Sequence, residues 1–209
     1  MNKEVIIRKE ETKDYYGTEH MAQRAFWNKY KPGSDEHYLV HCLRGDDSYL
    51  PEFSRVAVLD DNIVGCIMYS KAFVVDGDTR HEGITFGPLC VDPDYQNQGI
   101  GARLVKETAV LAAAAGIPGI IIFGEEDYYP RLGFRTCEHF GITTKDGKNM
   151  AAFMCYELQE GSMAQVKGAF DIAEVYSHVS KRAVDEFNKK FPPLEEQKLP
   201  GQWDEWKME

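Results

Sequence analysis

Positive charge is in short supply in this sequence. Its 24 Lys and Arg residues stand against 34 Asp and Glu, a formal net charge of -10 over 209 residues. That balance excludes the broad cationic footprint that nucleic acid or an anionic membrane surface requires. It fits an ordinary solubilising surface and is compatible with a cationic small partner. Cysteine is scarce as well. The five residues at 42, 66, 90, 137 and 155 are odd in number, widely spread and never in a C-x-x-C pair, so neither a zinc knuckle nor a disulfide framework is indicated, and a reducing, cytoplasmic setting is expected. No apolar run is long enough to span a bilayer, the nearest, Ala109 to Gly124, being broken by Gly and Pro. The opening MNKEVIIRKEE becomes charged too soon for a signal peptide.

What is present suits a normal globular core: 43% hydrophobic residues and 12% aromatics. Glu4 to Lys9 reads as a strand, followed by helical patterns over Tyr15 to Asn28 and Asp35 to Leu43, with Lys31-Pro-Gly-Ser34 as the break. Strands are predicted at Ser54 to Leu59, Ile63 to Val75 and Gly83 to Val91, turned at Asp60-Asp-Asn62 and Asp76-Gly77, an antiparallel meander. From Ile100 the residues Leu104, Thr108, Leu111, Ala112 and Ala115 recur at helical spacing until Gly116 and Pro118 stop the helix. The β-branched run Ile120 to Phe123 reads as a buried strand. A helical turn over Asp127 to Leu132 leads to strands at Phe134 to Thr143 and Asn149 to Leu158, joined at Asp146-Gly147. Beyond Gln159 the one amphipathic pattern is Val179, Ala183, Val184, Phe187 and Phe191.

Two glycines one residue apart, in Gln96-Asn-Gln-Gly-Ile-Gly101, stand where the helix begins. Glycine costs about 1 kcal/mol relative to alanine inside a helix, so the backbone rather than the side chain is wanted there. A dinucleotide-binding G-x-G-x-x-G lacks its third glycine, because position 104 is Leu, and no Gly-Lys-Ser/Thr completes a P-loop. What remains is a Q/R-x-x-G-x-G/A pattern, whose helix-start amides can bind a pyrophosphate.

The linked series Phe86-Gly-Pro-Leu-Cys-Val-Asp-Pro-Asp-Tyr-Gln-Asn-Gln-Gly-Ile-Gly101, then the helix, the Ile120 to Phe123 strand and Tyr128-Tyr-Pro-Arg-Leu-Gly-Phe134, resembles the GNAT superfamily of acyl-CoA-dependent N-acetyltransferases. Tyr49-Leu-Pro-Glu52, Gly124-Glu-Glu-Asp-Tyr-Tyr129 and Phe187-Asn-Lys-Lys-Phe-Pro192 extend the likeness to a bacterial branch with a C-terminal extension. The resemblance implies an α/β (α+β) GNAT fold: a mixed central sheet with an antiparallel meander, strands splayed at the acetyl-CoA site, and helices on both faces. It implies a domain over 1–158 with 159–209 packed on it, and acetyl-CoA as co-substrate, held by Leu89, Cys90, Val91, Gln96, Asn97, Gln98, Gly99, Ile100, Gly101, Ala102, Arg103 and Tyr128.

The same resemblance assigns Tyr129 as the acid that protonates the departing thiolate; Tyr128 beside it reads equally as core packing, and a plain pocket-lining role is the alternative for either tyrosine. Gly87-Pro88 inside a strand predicts a bulge that frees the Leu89 or Cys90 amide as an oxyanion donor. Many relatives carry a glutamate base where this chain has Thr85. Glu82 is taken as the substitute base, with His81, Glu52 and Glu125-Glu-Asp127 as further candidates and a water relay as the alternative. Cys90 reads as an inert strand cysteine rather than a nucleophile, and His37-x-x-x-His41 as two helix histidines, with no metal implied.

The expected reaction is direct acetyl transfer to a primary amine of a small, cationic acceptor by a monomer or homodimer. A catalytically silent acyl-CoA-binding module and a peptide N-acetyltransferase are the alternatives. The tail aromatics Phe170, Tyr176, Phe187, Phe191, Trp203 and Trp206 are expected to pack on the domain, or else to form a dimer contact or a wall of the acceptor pocket.

Overall fold

The computed structural model describes residues 4–177 and 179–202; Trp203 and Trp206 lie outside them. Three strands, β1 (Ile6–Arg8), β2 (Arg55–Leu59) and β3 (Asn62–Asp76), run antiparallel in that order, and β4 (Thr79–Val91) pairs with β3 from Asp76↔Thr79 to Gly65↔Val91. The expected turns close these hairpins. Asp60 and Asp61 take φ of 50° and 63°, and Gly77 takes 57°, the left-handed geometry that tight hairpins require.

Helices α1 (Tyr15–Phe26) and α2 (Glu36–Leu43) cover one face, where Met21, Val40 and Leu43 cluster with Cys66, Met68 and Cys90. Helix α3 (Ile100–Ala114) covers the other, where Leu104, Val105 and Ala112 pack on Ile67, Tyr69, Ile84 and Ile120. Cys66 and Met68 therefore face α1 and α2 while Ile67 and Tyr69 face α3, the alternation of a strand buried on both sides. The Tyr69 hydroxyl, wholly buried, is satisfied by Thr108 Oγ1 at 2.9 Å, which ties β3 to α3.

After α3 the chain enters β5 (Gly119–Phe123), which meets β4 in parallel and β8 (Phe153–Glu157) antiparallel. The expected strand over 134–143 is broken. It becomes β6 (Arg135–Thr136), a 3-10 turn over Cys137–Phe140, and β7 (Ile142–Thr143). The reason is local: Gly141 adopts φ 71°, and the turn brings Cys137 and Ile142 into one buried cluster, which a straight strand would separate. The expected partner strand starts only at Phe153, so no hairpin forms across Asp146-Gly147; β6 pairs with β8, and β7 pairs instead with β9 (Gly168–Ile172). Strand β9 extends the sheet by pairing with Ala72–Val75 of β3, giving, among the described residues, nine strands in one mixed sheet.

Helix α4 (Lys181–Asn188) carries the amphipathic pattern read from the sequence and buries Val184 and Phe187. Each such apolar side chain yields about 1.5–3 kcal/mol on burial. Phe187 packs against the rings of His41, Tyr38 and His37, and Phe191 against Tyr16 and His20. Asn188 anchors the helix, its Oδ1 accepting from Gln23 Nε2 at 2.9 Å and meeting His37 Nε2 at 2.8 Å.

Candidate active site

The site starts from a mismatch in the β3/β4 ladder. Ile67 faces Leu89 and Tyr69 faces Phe86, so three steps along β4 match two along β3, and Gly87-Pro88, a cis peptide, forms the expected bulge. On its other edge β4 pairs with β5 at Ile84↔Ile120, and beyond that point the two strands part. A cavity of about 680 Å³ fills the opening.

One half of its wall is the stretch from Leu89 to the first turn of α3. Leu89, Cys90, Val91, Gln96, Asn97, Gly99, Ile100, Gly101, Ala102 and Tyr128 all line it. Gln98 and Arg103 do not: Gln98 is exposed, and the Arg103 guanidinium turns outward to the Val5 carbonyl and Glu107, because the second and third helical positions, not the fourth, face the cavity. The two glycines serve different ends. Gly99 is the N-cap with φ 82° and open space around it, whereas a Cβ on Gly101 would meet Tyr128 Oη at 2.9 Å. The first helical bond runs from Arg103 N to Gly99 O, so the amides of Ile100, Gly101 and Ala102 have no acceptor within the helix. Three N–H groups at the positive end of a 15-residue helix, beside a cradle that a single methyl would fill, suit a pyrophosphate.

The other half is lined by aromatic and acidic side chains. Tyr129 is buried against Phe86 and Phe134, and a Cβ on Gly124 would fall within its ring. Burial, then the neighbouring Tyr128, Tyr30 and Glu125, push its phenol above the ordinary value, so it keeps its proton at neutral pH. It makes no hydrogen bond among the described residues. Tyr30 donates to Glu125 at 2.8 Å, with Lys29 at 3.4 Å, and these partners hold Glu125 below the usual carboxylate range.

The tail completes this half, since Ile172 and Tyr176 line the cavity. Tyr176 Oη lies 2.9 Å from Ser70 Oγ and 3.5 Å from the Gly87 carbonyl, and burial pushes its pKa up to about 12. Of the roles open to the tail, the described part therefore packs on the domain and also walls the pocket.

Glu82, the expected base, is not in the cavity. It is exposed opposite Phe73, because β4 begins at Thr79 and lines the cavity only from Thr85 onward. His81, Glu52, Glu126 and Asp127 do not line it either. Among the described residues the carboxylates that do are Glu125 and Glu36. Glu36 escaped the sequence reading because an acidic residue opening a helix is what the helix dipole favours anyway. Cys90 turns its sulfur away from the cavity half, to 3.5 Å from Cys66 Sγ and 3.8 Å from Met21 Sδ, and the Cys66 contact and burial keep its thiol neutral, a poor nucleophile. His37 and His41 each take a protein partner, Asn188 and Glu19.

Residues 51–136 match the family model of the acetyltransferase (GNAT) domain. Over 107 residues the chain is 33% identical to the uncharacterized N-acetyltransferase YjhQ of Escherichia coli K12, covering 50% of this chain and 58% of that relative's length. The GNAT family N-acetyltransferase YhbS of Escherichia coli, solved in complex with CoA, superposes with a TM-score of 0.76 at 23% identity over 86% of this chain and 96% of its own. A GNAT family acetyltransferase from Brucella melitensis in complex with acetyl-CoA gives 0.66 at 24% identity over 83% and 98%.

Proposed function

We propose that this protein, whose chain carries a GNAT acetyltransferase domain within a GNAT fold, moves the acetyl group of acetyl-CoA directly to the primary amine of a small acceptor. One observation carries this reading: a single cavity joins the free amides at the start of α3 to the β4 bulge and to Tyr129. The two similar structures that hold CoA or acetyl-CoA support acetyl-CoA as the donor.

Acetyl-CoA supplies the activated acyl group, and the chain supplies position and protons. The amides of Ile100 to Ala102 hold the pyrophosphate end. The amide of Leu89 or Cys90, freed at the bulge, polarises the thioester carbonyl. Tyr129, still protonated at neutral pH, gives its proton to the departing sulfur. The acceptor enters between α1, α2 and the tail. A wall built by Ile172 and Tyr176 favours a small molecule over a peptide, and the carboxylates of Glu36 and Glu125 favour a cationic one.

Calorimetric titration with acetyl-CoA, with NAD and ATP as controls, tests the first step. Saturable binding of acetyl-CoA alone is expected, followed by thiol release on addition of amines. Absence of acetyl-CoA binding would overturn the proposal, and binding without thiol release to any nucleophile would reduce the protein to an acyl-CoA-binding module.

A further inference from the structure

We propose that Glu36 is the proton acceptor for the incoming ammonium group; the role rests on the acetyl-transfer reading above and deepens it. An alkylamine with a pKa near 10 is neutral in about one part in a thousand at pH 7, so a base that faces the acceptor half gains a large factor. The usual strand position is Thr85, which has no proton-accepting charge.

Two carboxylates line the cavity, and their surroundings separate them. Glu125 is engaged by Tyr30 and Lys29 and its side chain is 56% exposed, which makes it a weak base and an occupied one. Glu36 is set differently. Its Oε2 accepts from the Ser34 hydroxyl at 2.8 Å and from the Asp35 N–H at 3.3 Å. Both donors are neutral, and Glu36 itself, half-buried, lines the cavity.

The surrounding charges suit the role. Lys31 on the same segment bonds to Asp35 at 2.6 Å. Burial raises the Glu36 pKa, the Asp35 carboxylate adds to the rise, and the Ser34 hydroxyl, the backbone amide of Glu36 and Lys31 oppose it. The charge of Glu36 in turn raises Tyr30, which lines the same cavity. Tyr129 and Tyr176 face the same space. A carboxylate of raised pKa lies closer to the ammonium it must deprotonate than an exposed one does.

The proton path balances. One ammonium proton passes to the Glu36 carboxylate and on to solvent. The neutral nitrogen then forms the C–N bond at the thioester carbon. As the C–S bond breaks, Tyr129 gives its proton to sulfur and regains one from the nitrogen, leaving amide, thiol and one released proton.

The test compares Glu36→Gln with wild type by thiol release from acetyl-CoA. It uses two kinds of nucleophile: the best substrate among 1,4-diaminobutane, spermidine and glucosamine, and hydroxylamine, which is mostly neutral at pH 7. Glutamine keeps an acceptor for the Ser34 hydroxyl but takes no proton. Turnover of the alkylamine should fall about 10²–10⁴-fold, while hydroxylamine turnover and acetyl-CoA binding stay near wild type. The acid limb of the wild-type profile with the alkylamine should give way in the variant to a rate that climbs about tenfold per pH unit toward the amine's own pKa near 10, and Glu36→Asp should recover part of the rate. Unchanged alkylamine turnover, or equal losses with both nucleophiles, would overturn the role of Glu36. Wild-type protein that binds acetyl-CoA yet releases no thiol to hydroxylamine would overturn the transfer reading itself.

Discussion

Replacing Gly101 by alanine sets stability against affinity. Gly101 is the second residue of α3 and lies outside the left-handed region, so alanine gains up to about 1 kcal/mol of helix propensity. Against this, the new Cβ would meet Tyr128 Oη at 2.9 Å, where ordinary contact begins at 3.4 Å. Tyr128 is only half-buried, and its ring end can swing aside. The net change in the free protein is therefore between zero and about 1 kcal/mol in its favour, a rise in Tm of about 2–4 °C at most for a chain of this size. The complex cannot relax in the same way, because a methyl and a displaced phenol both enter the space facing the amides of Ile100 to Ala102. Overpacking of this kind costs about 1–3 kcal/mol, which weakens acetyl-CoA binding roughly 5- to 150-fold. Gly99→Ala inverts the pattern. Nothing lies within 4 Å of its would-be Cβ, but φ is 82°, so about 1–2 kcal/mol of stability is lost. Thermal unfolding and calorimetry on the two variants separate the effects. Wild-type affinity in Gly101→Ala would refute the assignment of this helix start as the cradle.

Tyr129→Phe should lower kcat about 10²–10⁴-fold while acetyl-CoA binds as before; full turnover would remove Tyr129 as the acid. Asn188→Ala leaves the Gln23 and His37 donors buried without their acceptor, at a cost of about 2–5 kcal/mol in denaturant unfolding, and a loss under about 1 kcal/mol would mean that those donors find water. His37, whose pKa burial lowers from 6.5 to about 4, binds its proton more readily unfolded than folded. Its contribution is complete above pH 6.5 and fades as the pH falls toward 4, by roughly 3 kcal/mol. Unfolding of wild type and His37→Gln across that window should diverge by this amount, and parallel curves would show that the imidazole is not sealed. Glu36, with a raised pKa, acts in the opposite sense and is common to both proteins.

Several elements were legible because each carries its pattern within one run. The apolar spacing of Ile100, Leu104, Thr108 and Ala112 marks a buried helix face, and Asp60-Asp61 and Asp76-Gly77 are turns by residue type alone. Gly87-Pro88 announces a bulge because proline has no donor for the ladder. By contrast β9 has five residues, Gly168 to Ile172, too few for a periodic signal, and its existence depends on pairing with β3 almost a hundred residues earlier in the chain. The break at Cys137–Phe140 has a similar cause, since a shared cluster with Met163, Val166 and Phe170 decides it.

The same contrast divides the two halves of the cavity. The cradle proposed for a pyrophosphate is built of backbone, and backbone geometry is written contiguously: a left-handed N-cap at Gly99, a missing Cβ at Gly101 and the free amides of Ile100 to Ala102. A short motif is the natural trace of such a site, and ten of the twelve residues it implied line the cavity. The half proposed for the acceptor is lined by side chains from the segment before α2, the start of α2, the loop after β5 and the tail, which no spacing rule connects. Glu36 and Glu82 show the consequence. Both are acidic residues beside a predicted element, and in sequence Glu82 is the one near the expected strand position. Only the register of β4, which turns Glu82 to solvent, and the packing of α2, which places Glu36 on the cavity wall, distinguish a surface charge from a candidate base.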